Sequence, residues 1–344
     1  RLRLDAFLVE QAVAAGAELN EHCPVRGVTL RPGKGIVHTD SGDLSARVVV
    51  GADGANGAIA RSLSLDPAPD PPVALEANFY YNGAASQSPE STSHIPPSWR
   101  GVLALELGSM YGGYGWSFPK ADHFNIGCGG WRLEGGKLRE HLTDLAPHYG
   151  VDANAMRNVR GHHLPTREDG RLISKGNVVC VGDAAGLVDP MSGEGIYSAF
   201  VSGRIAATAV ADYLKGRTKT LAAYDAAIER EIMHDIRSAR LLRDAYHYLP
   251  GPSYLLMRRW PYLREALCHL MLGEKTYESF LREGGPLRPL VSVVARFGRR
   301  QKRQREAAKP ARASAKPAQT AQAAFNGQTT SVRISAGGVS GPEK

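Results

Sequence analysis

The stretch VVCVGDAAGLVDPMSGEGIYSAF, residues 178–200, concentrates residue types that can hold a polar ligand. An apolar run reads as a buried strand ending at Gly182 and Asp183, with Ala184, Ala185 and Gly186 following. Gly182 permits a tight turn, and the small residues after it let a ligand reach the backbone. Open α/β sheets take ligands at the carboxyl ends of their strands, where Asp183 stands. A carboxylate there accepts a sugar-type hydroxyl in a charged hydrogen bond of about 1.5–3 kcal/mol. Pro190 stiffens the approach to a helix, while Gly193 and Gly195 leave its first amides, up to Ile196, uncovered. Those donors and the positive end of the helix dipole would stabilise negative charge on a planar ring stacked above them. A lone Gly-Asp pair is explained by a capped turn and tight packing; the whole ordered run is too constrained for that. Glu194, in the first helical turn, complements the dipole and is assigned no chemistry.

A second group lies in YGWSFPKADHFNIGCG, residues 114–129. Tyr114, Trp116 and Phe118 alternate and so share one strand face, ending at Pro119. After a turn, Phe124, Ile126 and Cys128 alternate on the return strand, with Gly127 and Gly129 between and beyond them. On the residues alone this is a hairpin face packed on a core. No catalytic residue stands out. The eleven histidines form no nucleophilic or metal-ligating constellation, and His162 and His163 read as loop residues. Cys23, Cys128, Cys180 and Cys268 are too far apart for a metal or disulfide framework, which fits a reducing cytoplasm.

These groups need elements to position them. Residues 1–20 place Leu4, Phe7, Leu8 and Val13 at helical spacing, with Gly16 as a stop. Strands and turns follow to a buried strand at Val48–Val50, then a Pro-rich connector, LDPAPDPPVA. Residues 74–131 are β-type, and 178–182 form a strand feeding a helix from about Gly195 to Leu214. Residues 221–248 read as a long helix and 251–297 as short amphipathic helices. The order predicts a mixed α/β body with an added antiparallel sheet and a helical C-terminal region. At 344 residues the chain can bury a large core, and no apolar run reaches the about eighteen residues of a spanning helix. The net charge of +8 is concentrated in residues 299–316, where eight Lys/Arg face one Glu, and the remainder is close to neutral. That tail reads as solvated and disordered, with polybasic contact to an anionic membrane as the sharper alternative. It lacks the interleaved aromatics of a nucleic-acid binder.

VVCVGDAAGLVDPMSGEGIYSAFVSGRIAA resembles the second flavin-binding motif of the p-hydroxybenzoate-hydroxylase-type FAD proteins, and its wording is close to the geranylgeranyl reductase family. VVVGADGANGAIAR, residues 48–61, resembles that superfamily's Asp-Gly motif, with Gly57 where Ser is usual. YGWSFP with the later Gly-x-Gly matches the reductases' own signature, and RLRLDAFL fits Arg-x-x-Phe-Asp-x-x-Leu with Leu4 replacing Phe. The likeness runs from Arg1 to about residue 297.

By this resemblance the chain is a flavin-dependent reductase of isoprenoid double bonds in lipids, chlorophylls or quinones. FAD would be held by Arg1, Asp53, Gly54, Gly182, Asp183, Ala184, Gly186, Pro190, Gly193, Gly195 and Ile196. The aromatic face becomes a substrate wall of Tyr114, Trp116, Phe118 and Pro119, with Gly127 and Gly129 admitting a prenyl chain. NAD(P)H or a ferredoxin would supply electrons, and the amphipathic helices after Gly251 would allow peripheral membrane contact from the cytoplasm. The implied organisation is a partial Rossmann-like FAD domain (1–72 and 166–220), a β-rich substrate domain (73–165), a helical region (221–298) and the tail (299–344). The chain opens on Arg1 and contains no Gly-x-Gly-x-x-Gly, so it is expected to lack the nucleotide half of the site. The rival readings are an aromatic monooxygenase or halogenase on the same scaffold, and a non-catalytic prenyl-lipid binding protein.

Overall fold

The computed structural model describes residues 2–65, 67–80, 99, 101–107, 110, 112–248, 250–285, 287–307, 330–335 and 338–340. Helix α1 (Leu2–Ala14) leads into an antiparallel meander of β1 (Val25–Arg31), β2 (Lys34–Thr39) and β3 (Gly42–Ala46). Strand β4 (Val49–Gly51) and the short helix α2 (Ala58–Ser62) follow. The chain then enters a large sheet through β5 (Val73–Tyr80), β6 (Leu103–Leu107), β7 (Tyr114–Pro119) and β8 (His123–Gly130). Helix α3 (Leu138–Leu145) covers one face of that sheet, and β9 (Arg157–His163) pairs with β5 at its edge. His162 and His163 therefore lie on an edge strand; the expectation of a loop is corrected. Register explains it, because Val73 to Glu76 pair one by one with His163 to Arg160.

The chain returns to β4 through β10 (Ser174–Lys175) and β11 (Val178–Cys180), and β11 runs parallel to β4. Helix α4 (Ile196–Leu214) packs over them with α5 (Ala222–Ile228) and α6 (His234–Tyr248), the last two joined by a π-helical turn at Glu229–Met233. Among the described residues there follow α7 (Pro250–Arg259), α8 (Pro261–Met271), α9 (Tyr277–Glu283) and α10 (Leu287–Ala307). Strands β12 (Thr330–Ser335) and β13 (Gly338–Ser340) extend the large sheet beyond β6.

Among the described residues two apolar cores result. One packs Val28, Val49, Val178 and Val179 against Ile205, Tyr224, Ile228 and Met233. The other sets Phe79, Phe124 and Ile126 against Leu142 and Tyr149 beneath α3. Each fully buried side chain of this size contributes about 1.5–3 kcal/mol of apolar burial.

Three further expectations change. Val50 is 46% exposed, because β4 offers only one face to the core. The apolar residues Leu4, Phe7, Leu8 and Val13 are all exposed, so the periodicity of α1 serves no core among the described residues. Of the expected tail, residues 299–307 are helical rather than solvated coil, and residues 308–329, 336–337 and 341–344 lie outside the described residues. Helix α10 continues to Ala307 along α6, where Arg299 Nη1 donates to Asp244 Oδ2 at 2.9 Å and Lys302 pairs with Asp70 at 2.9 Å. A carboxylate as buried as Asp244 needs that cation.

Candidate functional site

Pairing of Cys180 with Gly51 in the parallel ladder brings two acidic turns to the same end of adjacent strands. Val181 N–H extends the contact, donating to Gly51 O at 2.9 Å. Asp53, though exposed, turns toward α2: its Oδ2 accepts from Ile59 N–H at 3.0 Å and caps the helix. A Cβ on Gly57 would lie 2.1 Å from Asp53 Oδ1. Glycine at 57 leaves room for this carboxylate where it stands, and a Ser there would move the exposed Asp53 side chain. Gly54 supplies the turn between them, at φ +74°.

Asp183 sits half-buried in the single 3₁₀ turn Gly182–Ala185. Gly182 donates its N–H to Ser202 Oγ at 2.9 Å, and a Cβ there would stand 3.1 Å from Ala199 Cβ. The strand tip therefore rests directly on α4. Ala184 is buried, and Gly186 lies against the backbone of Arg167, which explains its small size without a ligand. A Cβ on Gly195 would come within 2.7 Å of Asp183 Oδ1, so this carboxylate lies beside the start of α4.

Between Asp183 and α4, residues 189–194 form a fastened turn. Asp189 Oδ1 accepts from Met191 N–H and Ser192 N–H, both at 2.7 Å, and from Tyr277 Oη–H of α9 at 3.3 Å. Burial pushes the Asp189 carboxyl above its ordinary pKa, against the pull of those hydrogen bonds. Tyr114 of β7 donates its hydroxyl to Ser192 O in a very short hydrogen bond. Its phenol is held well above the usual range by burial and by the nearby Asp189 charge, which keeps it a donor. Pro190 is buried within the turn, and Gly193 (φ +71°) passes close to Leu164. Asp189 and Tyr277 were not singled out from the sequence. The Asp-Pro pair at 189–190 was the one local signal; Tyr277 had none.

The expectation of uncovered amides at the start of α4 is corrected. Glu194 Oε1 accepts from Ile196 N–H at 2.5 Å and from Tyr197 N–H at 3.1 Å. Gly193 N–H and Glu194 N–H are taken by Asp189 O and Ser192 Oγ. The nearest carboxylate occupies the positive end of the helix, as electrostatics dictates. Glu194 is exposed, so displacing it costs only the loss of an exposed cap, about 0.5–2 kcal/mol.

Tyr114, Trp116 and Phe118 do share a face, with ring centroids 5.9 and 6.1 Å apart in succession. It is the half-open face of β7; the intervening Gly115 and Ser117 point to the core beneath α3. Phe124, Ile126 and Cys128 also belong to that core side, and burial pushes the Cys128 thiol up to about 12. Trp116 Nε1 donates to Asn125 Oδ1 at 2.9 Å, fixing the indole, and Pro119 closes the strand opposite Phe124. The two glycines have another use than expected. A Cβ on Gly127 would lie 2.2 Å from Trp116 Cζ2, and one on Gly129 would meet Ala74 Cβ at 3.1 Å. They make room for the protein's own indole and for β5. Arg1 lies outside the described residues. Among the described residues no group of His, Cys, Asp and Glu could hold a metal ion, and no helix is long and apolar enough to cross a membrane.

No protein-family model matches the chain. It is 26% identical over 262 residues to an uncharacterised protein of Methanosarcina barkeri, covering 76% of this chain and 64% of that protein. It is 29% identical over 291 residues to the geranylgeranyl diphosphate reductase of Rhodobacter capsulatus, covering 81% of this chain and 68% of that one. The chain thus spans about two thirds of the length of these relatives. A geranylgeranyl bacteriochlorophyll reductase-like protein of Thermoplasma acidophilum superposes with a TM-score of 0.57 at 20% identity, over 71% of this chain and 63% of that one. A halogenase crystallised in complex with FAD superposes with a TM-score of 0.53 at 15% identity, over 88% and 72%. Sequence likeness to the reductase of Rhodobacter capsulatus and a mixed α/β architecture shared with these solved structures point the same way.

Proposed function

We propose that the protein reduces isolated carbon–carbon double bonds in geranylgeranyl-type chains of lipids, chlorophylls or quinones, with FAD as cofactor and NAD(P)H or a ferredoxin as electron donor. One observation carries the reading: the Asp183 carboxylate and the side-chain-free Gly195 lie together at the start of α4, beside the Tyr114–Trp116–Phe118 row's own link to Ser192. The residues fit a flavin. Asp183 would accept a hydroxyl of the ribityl chain, and the Ile196 and Tyr197 amides would face the electron-rich ring edge once Glu194 swings aside. Bound FAD, when reduced, supplies the hydride that the alkene needs. The aromatic row presents an uncharged wall to a long apolar chain, and Tyr114, held protonated, fixes the turn. Asp53 and Gly54 support this site through the α2 cap, so their contribution is positional.

Peripheral contact with the cytoplasmic face of a membrane is part of the proposal. Leu255 and Leu256 of α7, Trp260 at the junction and Tyr262 of α8 are exposed beside Arg258 and Arg259, the pattern of an amphipathic surface that enters an anionic lipid interface. The test is made on a form spanning the full length of the relatives. It should purify yellow, with flavin absorption, and reduce a prenyl substrate without consuming O2. Asp183→Ala should lose the flavin while its circular dichroism is unchanged; full flavin occupancy in that variant refutes the site. Oxygen consumption with an aromatic substrate would instead indicate a monooxygenase, and prenyl binding without flavin a non-catalytic carrier.

A further inference from the structure

A cleft of about 590 Å³ opens between α6, α9 and α10, on ground that the flavin reading does not use. Arg237, Arg240, Arg288 and Arg299 line it, against two carboxylates, Asp169 and Glu278. Asp169 is already shared: Arg237 Nε donates to it at 2.8 Å and Arg240 Nη1 at 3.3 Å. Arg237 also pairs with Glu229 outside the cleft. Glu278 faces His234 at 3.4 Å, and Arg299 reaches past the cleft to Asp244 at 2.9 Å. Arg288 is exposed and has no side-chain partner among the described residues. A guanidinium carries five N–H donors, and most of those here have no protein acceptor among the described residues.

We propose that this cleft binds a phosphate- or diphosphate-bearing ligand, held by Arg288 together with Arg237 and Arg240. Planar guanidinium forks match phosphate oxygens in pairs, which favours this class over a single carboxylate. Burial holds the Arg240 pKa below its ordinary value despite Asp169, so a further anion relieves an under-compensated cation. The same helix that contributes Glu278 to the cleft carries Tyr277, which fastens Asp189; a ligand here touches the element that holds the 189–194 turn.

Phosphate chemistry could come from a soluble diphosphate or from an anionic lipid headgroup. Calorimetric titration of the whole chain with inorganic pyrophosphate tests the first, and co-sedimentation with phosphatidylcholine vesicles containing phosphatidylglycerol tests the second. Binding of either probe, weakened about tenfold in Arg288→Ala, partly kept in Arg288→Lys and unchanged in Arg282→Ala, is the expected result. Response to pyrophosphate assigns a soluble ligand; response to vesicles alone assigns a headgroup. Melting temperatures of the variants must match the unaltered chain, as the exposure of Arg288 predicts. Failure of both probes to bind, or equal binding by Arg288→Ala, overturns the assignment.

Discussion

Tyr114 and Tyr277 reach one short turn from a strand and a helix far apart in sequence. Each hydroxyl lies in a largely buried setting, so Phe at either position should cost about 1 kcal/mol. Because both act on the 189–194 turn, the double variant should show non-additive loss in a denaturation cycle. Strict additivity would mean that the turn is not a shared unit. His247 gives a residue-scale pH effect. Buried against Trp131 and Tyr246, its imidazole is pushed down from 6.5 to about 3, first by burial and then by the Arg243 charge. Between these values the unfolded chain binds a proton that the folded chain does not, so stability rises with pH there and is lost on acidification below about 6.5. The slope is at most about 1.4 kcal/mol per pH unit. His247→Phe should remove it, as melting temperature against pH would reveal.

At the scale of elements, the β7–β8 hairpin shows how close approach decides a residue type. Alternation told correctly that Tyr114, Trp116 and Phe118 share a face, because side chains alternate in any strand. It could not tell that Gly127, paired with Trp116, yields its space to that indole. Gly127→Ala should push the ring away from Asn125, shift tryptophan emission and destabilise the fold by about 1–3 kcal/mol. An unshifted spectrum with unchanged stability would show that the hairpin has slack. The same limit applied at Glu194. A carboxylate in a first turn was legible as a dipole partner, but its occupation of the Ile196 and Tyr197 amides depends on the local path of the chain.

For the whole molecule, residues 299–307 of the basic segment are tied to the body through buried charge. Asp244 is shared by Arg243 at 2.7 Å and Arg299 at 2.9 Å, and Lys302 also lies 5.9 Å from the Trp131 ring centroid. Asp244→Ala leaves two cations without their carboxylate. A loss of roughly 3–5 kcal/mol in chemical denaturation, with early exposure of α10, is the expected outcome. A loss below about 1 kcal/mol would mean that α10 is held by apolar contacts alone.

The sequence by itself determined the local grammar of this protein. The strand–turn–helix at 178–214, the aromatic alternation at 114–118 and the helical C-terminal region follow from periodicity, turn residues and charge, all short-range properties. Tertiary structure decided which local features met. The β4–β11 pairing set Asp53 and Asp183 at one sheet end, Tyr277 came to Asp189 from a distant helix, and α10 turned a charge run into the partner of a buried carboxylate. Such pairings depend on which apolar faces pack together, and that is settled only when the chain buries its cores.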